Sequence, residues 1–169
     1  MDKYYYLVAS LPYLKFDAEV PMSSGSFLEE CAKWVPEDEM RVLTGFGDGQ
    51  DEAVAEGRVF AGEWREFEMT LRRAIVRAKE PGASERTYVP DAAKGVLGAE
   101  NPLVMEERYE RAKWDFLEGK AADGFFSINA LAIYYLKLRI KERLAAFNKD
   151  EGEKFFYNLC EVKDEQTNG

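Results

Sequence analysis

Residues 128–147 are the segment that most constrains the fold, because their apolar side chains recur at steps of three and four on two sides of a helix. One stripe contains Ile128, Leu131, Tyr135 and Leu138, and the other contains Ala132, Ile133, Leu136, Ile140, Leu144 and Phe147. A helix that is apolar on two sides must be covered by more than one neighbour. The segment therefore predicts a central helix in an all-α bundle.

The same spacing recurs along the chain and predicts a compact multi-helix bundle of roughly six helices. Its clearest second instance runs through residues 60–79, where Trp64 occupies the centre of an apolar stripe. We expect Trp64 and Leu138 to lie in the core. Residues 4–14 favour either a helix or an extended segment, and their aromatic side chains either fill the core or form a docking surface.

Local start signals give the helix boundaries. The pair Ser23-Ser24, the residue Ser127 and the pair Asn101-Pro102 have the side chains that favour the beginning of a helix. The predicted helices cover residues 24–34, 36–45, 60–79, a single turn near 91–96, 102–118, 128–147 and a last stretch after Gly152.

The chain has 169 residues, of which 46% are hydrophobic and 33% are charged, and these values fit one folded domain. We predict a single helical domain over residues 1–169. Turn-forming and polar residues predict flexible connectors near 45–58 and 81–100, and the polar end predicts a frayed tail at 163–169. The glycine-rich stretch 44–52 is acidic and lacks the pattern of a phosphate or calcium loop, so it is expected to be a connector.

Charge and hydropathy indicate where the protein acts. The formal net charge of −9 repels phosphate backbones, so nucleic acid is not an expected partner. No apolar run approaches the ~20 residues of a membrane-spanning helix, and the start of the chain lacks the pattern of a signal peptide. We expect a cytoplasmic protein without membrane insertion.

The residues that usually carry chemistry are scarce. Histidine is absent, which removes the commonest general base and metal ligand. Cys31 and Cys160 lie far apart outside any CxxC pattern, so buried thiols are favoured over a disulfide or a metal pair. We predict no catalytic, cofactor-binding or metal-binding residue. The alternative is a small helical enzyme or a ligand- or metal-binding protein that uses inward carboxylates, with Glu106, Glu110 and Glu142 as candidates.

Two charged helix faces are also predicted. In residues 102–118 the buried face is expected to contain Leu103, Met105, Tyr109, Ala112, Phe116 and Leu117, with Trp114 on a flank and Glu106, Glu107, Glu110, Asp115 and Glu118 on an acidic opposite side. In residues 128–147 the remaining positions include the basic residues Lys137, Arg139, Lys141 and Arg143. A solvated face is the default interpretation. The sharper hypothesis makes Lys137, Lys141 and Arg143 a docking site for an acidic partner.

Several of these segments resemble a known family. The opening Tyr-Leu-Val-Ala-Ser-Leu-Pro run at residues 6–12 and the Leu-Lys-Leu-Arg-Ile-Lys-Glu-Arg run at 136–143 are the most specific, joined by 27–31, 101–103 and 114–117. They are similar to an uncharacterised bacterial domain family whose genes lie among those of V-type (A/V-type) ATP synthases. The later helices are more distantly similar to the helical central-stalk subunit of those machines, called C in bacteria and archaea and d in eukaryotes.

The resemblance implies a non-catalytic accessory, assembly or stalk-associated role, with V-type ATPase subunits as partners and no catalytic residues or cofactor. Such a protein would be peripheral at the inner membrane face through the complex. The chain is far shorter than the three-lobed stalk subunit, so a one-for-one replacement of that subunit is not implied.

Overall fold

The computed structural model describes residues 4–48, 55–79, 89–121 and 126–147. Within these ranges every regular element is a helix, which confirms the all-α fold class. The helices are α1 (Tyr5–Ser10), α2 (Ser24–Cys31), α3 (Glu37–Asp48), α4 (Ala55–Lys79), α5 (Asp91–Leu97), α6 (Pro102–Lys120) and α7 (Ile128–Ala146).

Helix α7 lies at the centre of the bundle. It packs against α2, α3, α4 and α6, and most of the side chains in both of its apolar stripes are buried. Leu138 is fully buried and Trp64 nearly so, as predicted. One continuous cluster of buried side chains draws on α1, α2, α3, α4, α6 and α7. The single-domain assignment over residues 1–169 itself stays a prediction.

Two of the three predicted helix starts show the expected capping hydrogen bond, whereas Ser127 precedes α7 without a side-chain cap hydrogen bond. The side chain of Ser23 accepts a hydrogen bond of 3.0 Å from the backbone N–H of Ser26 at the start of α2. Asn101 does the same for Val104 at 2.9 Å, with Pro102 in the first turn of α6. These side chains occupy backbone donors that the first turn of a helix cannot satisfy internally.

Both alternatives for residues 4–14 occur in succession. α1 ends at Ser10, and Leu11 adopts an extended conformation with φ −71° and ψ 137°. Leu11 precedes Pro12, whose ring disfavours a helical conformation at the residue before it. The short helix is therefore followed by extended chain that reaches the buried Leu14 and Phe16.

The predicted connectors are shorter than the sequence suggested. α3 continues through Gly45 and Gly47 to Asp48, and α4 already begins at Ala55. Glycine in a helix costs about 1 kcal/mol relative to alanine. Here the ring of Phe46 lies 5.6 Å from that of Phe60 and adds to the core, so tertiary packing extends the helix. In the second connector α5 covers Asp91–Leu97, in agreement with the helical turn predicted near 91–96.

One predicted helix end and one predicted helix face are wrong. α2 ends at Cys31 rather than Trp34, and the indole of Trp34 is exposed while Cys31 is fully buried. In α6 the buried residues are Glu110, Trp114 and Leu117, so the supposed outer carboxylate and the supposed flanking tryptophan face the core. Leu103, expected inside, is about half exposed. Glu110, Trp114 and Leu117 follow the i, i+4, i+7 spacing of one helix face. The charge of Glu110 nevertheless favours solvent, so the sequence predicts this residue on the exposed side.

The last predicted helix after Gly152, the tail at 163–169 and Cys160 lie outside the described residues.

Candidate functional site

The basic residues proposed for docking do not form an exposed strip. Lys137 is buried: its ammonium lies 2.7 Å from the carboxylate of Glu118 and 5.0 Å from the centre of the Trp114 ring. The flexible stem of lysine allows its apolar carbons to pack while the charge reaches a partner. The prediction that Lys137 lies on a solvated face is therefore wrong.

Lys141 is still more deeply enclosed. Its ammonium donates to the backbone carbonyl oxygens of Lys15 at 2.7 Å and Phe16 at 3.2 Å, and also to that of Ala18. Burial lowers the pKa of this ammonium, and the nearby Asp17 opposes the shift. The side chain holds the extended segment against α7, so its exposure was also predicted wrongly.

Arg143 is the only one of the three whose side chain is largely exposed, and it too is engaged within the chain. Its Nε donates to Glu106 at 2.7 Å and lies 3.3 Å from Oε1 of Glu110. Arg143 therefore links α7 to α6 from the surface inward. Sequence spacing alone could not reveal these partners, because they lie on another helix.

The three candidate metal-binding carboxylates are each engaged within the chain. Glu106 is paired with Arg143, and Glu142 accepts from the backbone N–H of Ser24 at 2.6 Å and its hydroxyl at 2.7 Å. Ser24 is the first residue of α2, so Glu142 satisfies the positive end of that helix. Among the described residues, no group of three or more histidine, cysteine or acidic side chains is placed to hold a metal ion.

The third carboxylate, Glu110, opens onto a cleft of about 570 Å³ between α3, α4, α6 and α7, which we call the Glu110 cleft. Its apolar lining consists of Phe46, Trp64, Leu136 and Ile140. Its charged lining consists of Glu68, Glu110, Lys113, Arg139, Glu142 and Arg143. The volume falls in the range of about 300–1,000 Å³ that is typical of small-molecule sites.

Glu110 is 0% exposed and incompletely satisfied. Its Oε1 accepts from Lys113 at 3.2 Å. Its Oε2 lies 3.0 Å from the same ammonium, yet it accepts no hydrogen bond of adequate geometry in the described part of the chain. Burial raises the pKa of Glu110 above its usual value, and the charges of Lys113 and Arg143 counteract part of that effect.

Arg139 lies at the exposed edge of the same cleft. Its guanidinium donates to the hydroxyl of Tyr135 at 3.2 Å, one helical turn away, and makes no ion pair with the described carboxylates. In the sequence alone, Arg139 is indistinguishable from the other basic residues of the helix. The distinction between it and its neighbours depends on which acidic side chains the other helices supply.

The opening tyrosines form a second feature. Tyr4 is buried and its hydroxyl donates to Glu39, whereas Tyr5, Tyr6 and Tyr13 are 48%, 71% and 80% exposed. We call these three residues the tyrosine surface. The ring of Tyr5 lies 5.5 Å from that of Tyr6 and 4.8 Å from that of Phe126. The ring of Tyr4 therefore fills the core, whereas the other three rings lie at the surface.

The chain next to Tyr13 is held against α7 by a hydrogen bond. The hydroxyl of Tyr134 in α7 donates to the backbone carbonyl of Pro12 at 2.9 Å, and burial raises the pKa of Tyr134 to about 12. The hydroxyl is therefore a hydrogen-bond donor throughout the physiological range. It fixes the extended segment next to Tyr13 while leaving that ring exposed.

Fold and site together define a class: an all-helical domain with a charged interhelical cleft and an exposed aromatic segment. Residues 94–166 match a family described as a protein of unknown function, DUF2764. The match begins within α5 and includes α6 and α7, so this part of the chain is similar to an uncharacterised domain family.

Two other comparisons gave no match. No curated protein is significantly similar to the chain, and no solved structure is either. Within the described ranges, no helix has the length and apolar character needed to cross a bilayer.

Proposed function

We propose that the protein is a non-catalytic accessory or assembly component of a V-type ATPase and that it docks onto a subunit through its tyrosine surface. The observation that carries the proposal is the exposure of Tyr5, Tyr6 and Tyr13. Tyr6 begins the run at residues 6–12, one of the two most specific parts of the family resemblance, and Tyr5 and Tyr13 flank that run. The partner is taken from that resemblance.

The chemistry of the tyrosines supports a protein partner. Tyrosine is enriched at the centres of protein interfaces, because a rigid ring buries much apolar area while its hydroxyl can still hydrogen-bond. Tyr6 and Tyr13 present most of their surface to solvent. The chain after α1, which contains Tyr13, is held against α7 by the hydrogen bonds from Tyr134 to Pro12 and from Lys141 to Lys15. Docking would therefore cost this segment little conformational entropy, and a small entropy loss favours affinity.

The basic residues of α7 give less support to docking than their sequence suggested. Lys137 and Lys141 are buried and engaged within the chain, so the proposed interface is aromatic rather than basic. We place the protein in the cytoplasm, peripheral to the membrane through the ATPase. The net charge of −9 argues against nucleic acid as the partner.

The test is capture of V-type ATPase subunits by the tagged full-length chain from solubilised membranes of the native host. The wild-type protein should retain a subunit, and the double variant Tyr6→Ser with Tyr13→Ser should bind at least about tenfold more weakly, as loss of interface anchors commonly does. Val59→Ser with Val76→Ser is the matched control, because both valines are exposed apolar residues on α4. Thermal melts check that each variant folds.

The dependence of capture on salt concentration distinguishes an aromatic interface from a basic one. Screening weakens contacts between exposed charges, so capture through the tyrosines should persist as ionic strength rises. If the wild-type chain retains no ATPase subunit, the assigned partner is wrong. If the tyrosine double variant binds as well as the wild type, the docking surface is wrong.

A further inference from the structure

Helix α4 exposes a line of small and apolar residues on the side that faces away from the core. The helix packs against α5 and α7, and its buried side chains are Phe60, Trp64 and Leu71. The opposite side carries three exposed residues at intervals of seven, which we call the α4 seam: Gly62, Met69 and Val76. A repeat of seven residues is the spacing with which two helices pair along a seam.

The α4 seam has room for a second helix. A Cβ atom added at Gly62 would meet no described atom within 4 Å, so the space over this residue is open. The side chain of Met69 is unbranched and flexible, and such side chains adapt to irregular surfaces. Another helix can therefore approach α4 closely at Gly62 and pack apolar side chains against Met69 and Val76.

The residues beside the seam are mostly basic. Arg65, Arg72 and Lys79 are exposed along one flank, again at intervals of seven, and the exposed Arg73 lies on the other flank. Arg72 and Arg73 make no ion pair with a carboxylate of the described ranges. This face is thus locally basic in a chain whose net charge is −9. Charges that flank an apolar seam favour a partner of opposite sign.

Two observations favour a partner helix over an anionic membrane. The exposed apolar line is only one residue wide, whereas a helix that lies in a bilayer surface buries a broad apolar face. Glu66 is exposed on the same flank as Arg73, and anionic headgroups would repel its carboxylate. A protein helix can place its acidic residues opposite the arginines alone.

We propose that the α4 seam binds an acidic amphipathic helix of a partner protein. Apolar residues of that helix pack on Met69 and Val76, and its flanking carboxylates pair with Arg72 and Arg73. Arginine binds a carboxylate through two parallel hydrogen bonds, so these pairs fix the register of the two helices. No residue of the α4 seam belongs to the tyrosine surface, so this contact is additional to the docking proposed above.

The experiment is a fluorescence anisotropy titration of the full-length protein into a labelled synthetic peptide of about three heptads, with leucine at the core positions and glutamate at the flanking positions. The acidic peptide should bind with a Kd of about 100 μM or tighter. A peptide with lysine in place of glutamate, and another with serine in place of leucine, should each bind at least about tenfold more weakly.

Two double variants locate the contact on the protein. Arg72→Gln with Arg73→Gln should weaken the acidic peptide at least about tenfold, because its carboxylates lose their partners. Lys33→Gln with Arg41→Gln is the matched control, since it removes the same charge from two exposed positions outside α4 and should leave binding unchanged. Thermal melts check that both variants fold.

The variant Tyr6→Ser with Tyr13→Ser should bind the acidic peptide like the wild type, so this test is independent of the tyrosine surface. The proposal is overturned if the acidic peptide does not bind at a protein concentration of about 1 mM. Equal affinity for the glutamate and lysine peptides would also overturn it, as would unchanged binding in the arginine double variant. Binding to phosphatidylserine vesicles without binding to the acidic peptide would assign the face to a membrane instead.

Discussion

At the residue scale, buried charges connect the helices of this protein. Lys141 joins α7 to the extended segment through three backbone carbonyl groups, and Glu142, its neighbour in sequence, satisfies the start of α2. Consecutive residues on a helix point about 100° apart, so the two side chains reach different neighbours. One turn of α7 thereby positions two separate parts of the chain.

Replacing Lys141 by methionine should destabilise the protein. Methionine fills most of the same space but cannot donate, so the carbonyl groups of Lys15, Phe16 and Ala18 lose their shared partner. We expect a loss of about 1–3 kcal/mol in the free energy of unfolding, measured by urea denaturation. Lys33→Met, at an exposed lysine, should stay within about 0.5 kcal/mol of the wild type. Equal stability of the two variants would contradict the anchoring role of Lys141.

Glu110 should make stability depend on pH. Its folded pKa lies above the ordinary value of 4.5, so between those two values the folded state binds more protons than the unfolded state. The contribution of Glu110 to stability is therefore fully present below pH 4.5 and is lost as the pH rises through the folded pKa. In Glu110→Gln this titration is absent.

The measurement is urea unfolding of the wild type and of Glu110→Gln at a series of pH values. The wild-type free energy of unfolding minus that of the variant should decrease as the pH is raised above 4.5, the ordinary pKa of the group. A difference that grows over the same interval would mean that Lys113 and Arg143 outweigh burial.

At the element scale, local sequence explains where most helices begin, and packing explains where α3 ends. Ser23 and Asn101 supply the capping oxygens that their positions predict. The end of α3 is different, because Phe46 packs near Phe60 and extends the helix through two glycines. A contact between elements outweighs the local preference of those residues.

The central position of α7 predicts a large effect from shortening its core side chains. Leu138 is fully buried, so Leu138→Ala should reduce the free energy of unfolding by about 2–5 kcal/mol through lost burial and a residual cavity. Urea denaturation monitored by far-UV circular dichroism measures the loss. Leu103→Ala is the control, since this leucine on α6 is about half exposed and should change much less. A loss below about 0.5 kcal/mol in Leu138→Ala would contradict the packing of α7.

At the scale of the whole molecule, the bundle is organised around one helix rather than as a ring of equal helices. α7 contacts α2, α3, α4 and α6, while α5 packs beside α4 and α6. The buried cluster is continuous from α7 into α2, α3, α4 and α6, so these helices should unfold cooperatively.

Cys31 provides a probe of that cooperativity. Its thiol is fully buried in the core, and burial raises its pKa to about 12, so both access and thiolate formation are suppressed in the folded state. In a Cys160→Ser variant, a thiol reagent at neutral pH should label Cys31 only as the protein unfolds. The labelling and circular dichroism transitions in urea should coincide. Rapid labelling without denaturant would indicate that α2 opens independently.

The sequence by itself determined the helical class, most helix starts and the burial of Trp64 and Leu138, because spacing and capping are properties of neighbouring residues. Only the tertiary structure decided that Glu110, Lys137 and Lys141 are buried and that Arg139 makes no ion pair with the carboxylates of the described residues. A charged side chain is stable inside a protein only where other elements supply its partners. Those partners lie 19 residues away for Lys137 and more than 120 for Lys141, beyond the reach of any local pattern.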